Sequence, residues 1–97
     1  GNTITLQGIF RVLKSHKKKK VRIADLGCGS GELLHLIYQR AQREHYGVEL
    51  VGIDANPHIV NYATERIVPS YPMVFQSTNV LSASFQEEVY DIITATL

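Results

Sequence analysis

The sequence predicts an α/β fold: a doubly wound parallel sheet in three α-β-α layers. Two observations carry that expectation. Short β-branched runs alternate with longer stretches whose apolar residues recur at helical spacing, and a glycine-rich turn stands where the first run hands over to the first such stretch. Length sets the scale, since 97 residues suffice for one small domain and are too few for two. Residues 1–97 therefore read as a single domain, with an N-terminal helix and basic loop over 1–20 and a β-α-β core over 21–97.

Between Ile4 and Leu13, the residues Leu6, Ile9, Phe10 and Leu13 fall on one helical face, and Asn2 or Thr3 is placed to cap the start. This helix, Thr5 to Lys14, either covers a ligand site as a lid or packs on the sheet. Val21 to Leu26 is a short apolar run stopping at Gly27, as a buried parallel strand does. From Gly31 to about His45 the period changes. Leu33, Leu34, Ile37, Tyr38 and Ala41 share one face, with Glu32, Gln39, Arg40 and Arg43 on the other. Val48 to Ile53 gives a second strand ending at Asp54. Asn56 then caps a helix whose first turn accepts Pro57, and which carries Ile59, Val60, Ala63 and Ile67 inward before Pro69 ends it. Pro72 to Gln76 is a third strand. A polar stretch from Ser82 to Glu88, read as a short helix, leads to a fourth strand, Val89 to Ala95.

Strands and helices in this alternation require right-handed crossovers. A finished domain of this kind has more strands, and an apolar fourth strand with an open edge is a liability. The sequence is therefore expected to be a fragment, or to gain its missing neighbours from a partner or from a second copy pairing with that strand.

Hydrophobic residues at 44% and charged residues at 20% are ordinary for a folded globular chain and exclude general disorder. No apolar run approaches the ~18 residues needed to cross a bilayer, so no membrane span is expected. Net charge is +1, yet residues 1–22 hold seven Lys/Arg and no acid, whereas residues 23–97 hold three bases against nine acids. A basic segment can attract nucleic acid or acidic lipid. No aromatic residue interleaves Lys17 to Lys20, however, which favours a solvated loop and makes nucleic acid an unfavoured partner. Cys28 is the sole cysteine, so an internal disulfide is excluded and a cytoplasmic setting fits. The opening Gly1-Asn2 lacks a starting Met and reads as a remnant of processing or cloning.

The most informative stretch is Asp25-Leu26-Gly27-Cys28-Gly29-Ser30-Gly31. Alternating glycines let the backbone turn sharply and approach a ligand at the carboxyl edge of the sheet, where such folds bind cofactors. The dinucleotide pattern G-x-G-x-x-G is not met, because its third position is Glu32, and no Gly-Lys-Ser/Thr follows for a Walker-type phosphate site. Asp25, two residues before the first glycine, opposes a pyrophosphate and favours a cationic ammonium or sulfonium group.

Val21 to Gly31, V-R-I-A-D-L-G-C-G-S-G, resembles motif I of the class I S-adenosylmethionine-dependent methyltransferases, and the likeness extends to G-I-D-A-N-P-H-I. It covers most of the chain from Val21 to Leu97. The resemblance implies an incomplete methyltransferase Rossmann-like fold with strand order 3-2-1-4, the N-terminal cofactor-binding half, and S-adenosyl-L-methionine as cofactor. It places Asp25, Gly27, Cys28, Gly29 and Gly31 along the cofactor. Asp54, at the end of the second strand, can accept hydrogen bonds from both ribose hydroxyls, and its separation from Gly31, roughly 20 residues, suits one β-α-β turn. Ala55 would pack by the adenine, Asn79 would bond the adenine amino group, and the Val80 backbone would meet a ring nitrogen. Thr94 joins the set from the fourth strand. Asn79 replaces the commoner Asp and still offers an acceptor oxygen.

Thr94-Ala95-Thr96-Leu97 stands where enzymes methylating amino groups of bases or glutamine carry an Asn/Asp-Pro-Pro-aromatic signature, so nucleobase N-methylation is disfavoured. The implied activity is methyl transfer to a small-molecule acceptor by in-line displacement at the sulfonium methyl. Alternatives are a non-catalytic cofactor-binding or interaction module and a nucleic-acid methyltransferase. Cys28 has no activating base nearby in sequence and reads as a small turn residue. His16, His35, His45 and His58 lack metal-ligand spacing, and no metal is expected. No catalytic residue is nominated, since a general base would come from loops after later strands.

Overall fold

The computed structural model describes residues 2–16, 19–81 and 85–96, with side chains from Leu6 onward. In chain order the elements are α1 (Asn2–Ser15), β1 (Lys20–Leu26), α2 (Glu32–Glu44), β2 (Gly47–Asp54), α3 (Pro57–Glu65), β3 (Met73–Ser77), a 3₁₀ turn (Glu87–Val89) and β4 (Ile92–Ala95). The four strands form one parallel sheet in the order β3-β2-β1-β4, as the resemblance implies.

Alternation along the strands sorts side chains onto two faces. Val21 and Ile23 of β1, Val48 and Leu50 of β2 and Met73 of β3 meet Leu33, Leu34, Ile37 and Ala41 of α2 in the main core. Steps from β1 to β2 and from β2 to β3 run in the same direction, so right-handed crossovers put α2 and α3 on this one face. The return from β3 to β4 passes over the other face, where Val80, Phe85 and Tyr90 pack on Ala24, Val51 and Ile53. Among the described residues that third layer is thin, an irregular connection carrying one 3₁₀ turn, and Val74 and Ile93 remain exposed.

The choice between lid and packing for α1 resolves toward packing. Ile9, Phe10 and Leu13 are buried in the main core, and each such side chain contributes about 1.5–3 kcal/mol. Phe10 meets Tyr46 edge-on with ring centroids 5.9 Å apart. The caps expected at α3 are present, with Asn56 Oδ1 accepting from the His58 N–H at 2.9 Å and Pro57 in the first turn. That helix stops at Glu65, ahead of the limit set by Pro69, and Ile67 reaches the core from the turn that follows.

The fourth strand is shorter than the expected Val89 to Ala95. Val89 lies in the 3₁₀ turn, and Asp91 bonds to Arg22 on both sides: its N–H donates to the Arg22 carbonyl at 2.8 Å, and its Oδ2 accepts from the Arg22 N–H at 2.9 Å. A side chain thus takes the N–H that a continuing strand would have bonded through its backbone.

Lys20, expected in the basic loop, begins β1, while Lys17 and Lys18 lie outside the described residues, as do Gly1, Leu97 and residues 82–84 of the expected polar stretch. The cap expected from Asn2 or Thr3 falls outside the described side chains. Among the described residues no helix is long and apolar enough to cross a membrane.

Candidate cofactor-binding site

The site is built on one row of side chains across the sheet. Register aligns Phe75 of β3 with Gly52 of β2, Gly52 with Asp25 of β1, and Asp25 with Thr94 of β4. Gly52 has no side chain, so the Phe75 ring lies over it and reaches the glycine turn: a Cβ on Gly52 would meet Phe75 Cδ1 at 2.4 Å and Cys28 Sγ at 2.9 Å, and a Cβ on Gly31 would meet Phe75 Cζ at 2.4 Å. The turn therefore rests on an aromatic platform.

Gly27, Gly29 and Gly31 all have positive φ, at 70°, 56° and 88°. Side chains rarely adopt this region, and that is the reason for the alternating pattern. The Gly27 and Cys28 N–H groups both donate to the Ile53 carbonyl, at 2.8 and 3.2 Å, tying the turn to the end of β2. Asp54 completes the tie. Its Oδ2 accepts from the Gly29 N–H at 3.1 Å and its Oδ1 from the Asn56 N–H at 3.0 Å. An ionised carboxylate has about four acceptor positions, so roughly two remain for a diol.

Two open hollows meet at Gly27. The first, about 350 Å³, is lined by Asp25, Gly27, Cys28, Gly29, Ser30, Glu32, Leu33 and Thr96. The second, about 320 Å³, is lined by Gly27, Ile53, Asp54, Ala55, Thr78, Asn79, Val80 and Leu81. The glycine turn, Asp54, Ala55, Asn79 and Val80 are thus brought to one cleft along the carboxyl edge of the sheet. Neither hollow is lined by Lys, Arg or His, whereas Asp25, Glu32 and Asp54 supply carboxylates. Such a donor set accepts hydroxyls and cationic groups and repels phosphate.

Asp25 is fully buried and forms the floor of the first hollow. Thr94 Oγ1 donates to its Oδ1 at 2.7 Å and Thr96 Oγ1 to its Oδ2 at 3.1 Å. Burial pushes the Asp25 carboxyl above its ordinary value, against the opposing pull of the two hydroxyls. Thr94 therefore reaches the cleft only through Asp25, and the β4-side residue that lines it is Thr96, which the motif comparison did not single out. Strand alternation places Thr96 on the face of Thr94, so the signal was present. Gly52 and Phe75 were also missed as site residues, although a glycine inside a buried strand marks a close approach.

Burial, together with the nearby charges of Asp54 and Asp25, pushes the Cys28 thiol up to about 12. Cys28 is thus an un-ionised turn residue. Asn79 Oδ1 accepts from the Leu81 N–H at 3.0 Å, which leaves one further acceptor position toward the second hollow. Ala55 is exposed beside it, its carbonyl accepting from Ser77 Oγ at 3.3 Å.

Residues 17–97 match a family described as a methyltransferase domain. A phosphoethanolamine N-methyltransferase from Plasmodium falciparum is 32% identical over 72 residues, covering 74% of this chain and 25% of that protein. A ubiquinone/menaquinone biosynthesis C-methyltransferase UbiE from Campylobacter jejuni is 27% identical over 85 residues, covering 77% of this chain and 36% of that protein. Among solved structures, the plantazolicin methyltransferase BpumL, in complex with a triazolic desmethylPZN analog and SAH, superposes with a TM-score of 0.67 at 24% identity, over 95% of this chain and 33% of that one. The CurJ carbon methyltransferase gives a TM-score of 0.78 at 18% identity, over 97% and 26%. At such identities the structural likeness is one of fold. This chain spans from a quarter to just over a third of these proteins. Motif, sheet order and family match converge, and the chain belongs to the class I, Rossmann-like S-adenosylmethionine-dependent methyltransferases.

Proposed function

We propose that this chain is the cofactor-binding part of a methyltransferase that uses S-adenosyl-L-methionine and acts on a small-molecule acceptor. One observation carries the reading: two hollows joined at Gly27, with Asp54 beside the junction and no cationic residue among those lining either. That set suits a nucleoside with a positively charged arm better than a phosphorylated one. The ribose hydroxyls would go to the remaining acceptor positions of Asp54, and the base to the hollow of Ala55, Asn79 and Val80. The charged arm would lie along Gly27, Cys28 and Gly29 above Asp25, with Gly31 and Thr94 supporting from behind.

When bound, this cofactor supplies a methyl group already activated on a sulfonium, so the residues of the chain have chiefly to hold and orient it. A small-molecule acceptor draws support from the names of the phosphoethanolamine and ubiquinone/menaquinone relatives. The nucleic-acid reading is weakened by distance. Lys20 begins β1 and the cleft opens at its far end, about 20 Å away at ~3.3 Å per residue over the six steps to Leu26. The sole cysteine keeps a cytoplasmic location within this reading.

Calorimetric titration of S-adenosylhomocysteine into the wild-type chain and Asp54→Ala tests the assignment. Each hydrogen bond to a charged acceptor contributes about 1.5–3 kcal/mol, so affinity should fall roughly tenfold to a hundredfold or more. Equal affinity in the two proteins rejects Asp54 as the ribose partner.

A further inference from the structure

Asp25 is the one polar side chain fully buried in the described core, and the hydrogen count around it does not close if it is ionised. Two threonine hydroxyls serve it. Thr94 Oγ1 lies 2.7 Å from Asp25 Oδ1 and 3.4 Å from the Ala24 carbonyl. Thr96 Oγ1 lies 3.1 Å from Asp25 Oδ2 and 2.9 Å from the Gly27 carbonyl. A hydroxyl has one hydrogen, and an ionised carboxylate only accepts. With Asp25 ionised, the single Thr96 hydrogen faces two acceptors, Asp25 Oδ2 at 3.1 Å and Gly27 O at 2.9 Å. Whichever it serves, the other short contact is left between two oxygens without a hydrogen of its own.

One additional hydrogen resolves this. Asp25 Oδ2–H donates to Thr96 Oγ1, the Thr96 hydroxyl donates to Gly27 O, and the Thr94 hydroxyl donates to Asp25 Oδ1. Each of the three short contacts then holds a hydrogen.

The surroundings agree with the count. On β2 the register partner of Asp25 is Gly52, on β4 it is Thr94, and neither titrates. From the turn and α2 the hollow receives the Cys28 thiol and the Glu32 carboxylate, and the Asp54 carboxylate stands across the turn at Gly29. No cation lines the hollow to hold Asp25 ionised, and burial raises its proton affinity.

We infer that Asp25 carries a proton in the ligand-free chain, relayed through Thr96 to the Gly27 carbonyl, and that it releases this proton to solvent when a positively charged ligand enters the cleft. The second half rests on the cofactor reading above. A cation beside Asp25 favours the ionised form; the proton leaves Oδ2, and the Thr96 hydroxyl hydrogen swings from Gly27 O to the carboxylate. Asp25 then discriminates by charge, and Thr96 is its positioning residue. Affinity for a sulfonium ligand should rise with pH between the ordinary carboxylate value of 3.8 and the raised value of Asp25. A neutral thioether should gain less.

A ¹³C-carboxyl NMR titration of the free chain tests the first half without any ligand. Asp25 should titrate above 3.8. Thr96→Val should lower the midpoint by removing the acceptor of the proton, and Thr96→Ser should restore it. A midpoint at or below 3.8, or a rise in Thr96→Val, overturns the relay. The second half is read by calorimetry of S-adenosylmethionine binding in buffers of different ionisation heat, roughly one pH unit below the measured midpoint. Most of a proton should be released per ligand bound, and none by Asp25→Asn. Binding without proton release overturns the coupling. Absence of binding overturns the cofactor reading, while the ligand-free titration still decides the protonation.

Discussion

At the scale of single residues, the glycine turn separates two kinds of constraint. Gly31 is held by both conformation and space, with φ at 88° and the Phe75 ring where a Cβ would sit, whereas Gly29, with φ at 56°, faces open space. A left-handed conformation costs a side chain about 1–2 kcal/mol. Gly29→Ala should therefore destabilise the chain by about that amount in urea unfolding, and Gly31→Ala by clearly more. Equal losses would mean that Phe75 yields freely. Cys28 gives a second residue-scale expectation. With its thiol pushed up to about 12, alkylation near pH 8 should run at least a hundredfold slower than for an ordinary thiol of pKa about 8.5, and should reach the ordinary rate in denaturant. Rapid labelling of the folded chain contradicts that environment. Asp25, raised by burial, makes the native state bind more protons than the unfolded one above pH ~3.8, so its contribution to stability is lost as pH rises through its folded value. Urea midpoints measured across pH 4 to 8 should fall less steeply for Asp25→Asn than for wild type, and parallel profiles would reject the raised value. Asp25, the glycines and Asp54 were legible from spacing alone. That Asp25 lies beneath the turn, held by two threonines, was not, because a motif gives position along the chain and not depth.

At the scale of elements, β1, β2 and β3 were readable because buried parallel strands are short apolar runs stopped by glycine, acid or polar residues. The α2 and α3 helices were readable from period and caps. What escaped was set by contacts across the sheet. The beginning of β4 is displaced by the bonds between Asp91 and Arg22, residues 69 positions apart in sequence, and no local pattern reports such a pair. The contact of Phe75 with Gly52 is likewise a product of register. It yields an element-scale prediction: Gly52→Ala should destabilise the sheet by about 1–3 kcal/mol through overpacking. Phe75→Leu should recover part of that loss in a double-mutant cycle, because the residues are in contact. Strict additivity in urea unfolding would show that the ring is not what Gly52 accommodates.

At the scale of the whole molecule, the two edges of the sheet differ in charge. Lys19, Lys20 and Arg22 gather at the amino edge, with Arg22 paired to Glu49 at 3.2 Å, while Asp25, Glu32 and Asp54 stand at the carboxyl edge. Among the described residues, β4 has β1 on one side and no strand on the other, and Ile93 is exposed on it. An edge of this kind pairs readily with another strand. Sedimentation of the chain should therefore depend on concentration and lose that dependence in Ile93→Lys. A monomer at every concentration would contradict self-association through β4. The thin layer of the described residues 78–81 and 85–91 was the least legible part of the fold, since a polar stretch carries no period by which to distinguish a helix from a loop.

On the proposed function, the acid-lined cleft takes a nucleoside with a cationic or thioether arm and refuses a pyrophosphate. Parallel calorimetric titrations of S-adenosylhomocysteine and NAD into the same chain read it directly. Saturable binding of S-adenosylhomocysteine at one site per chain, with no heat from NAD, is the result expected. Binding of NAD alone would contradict it.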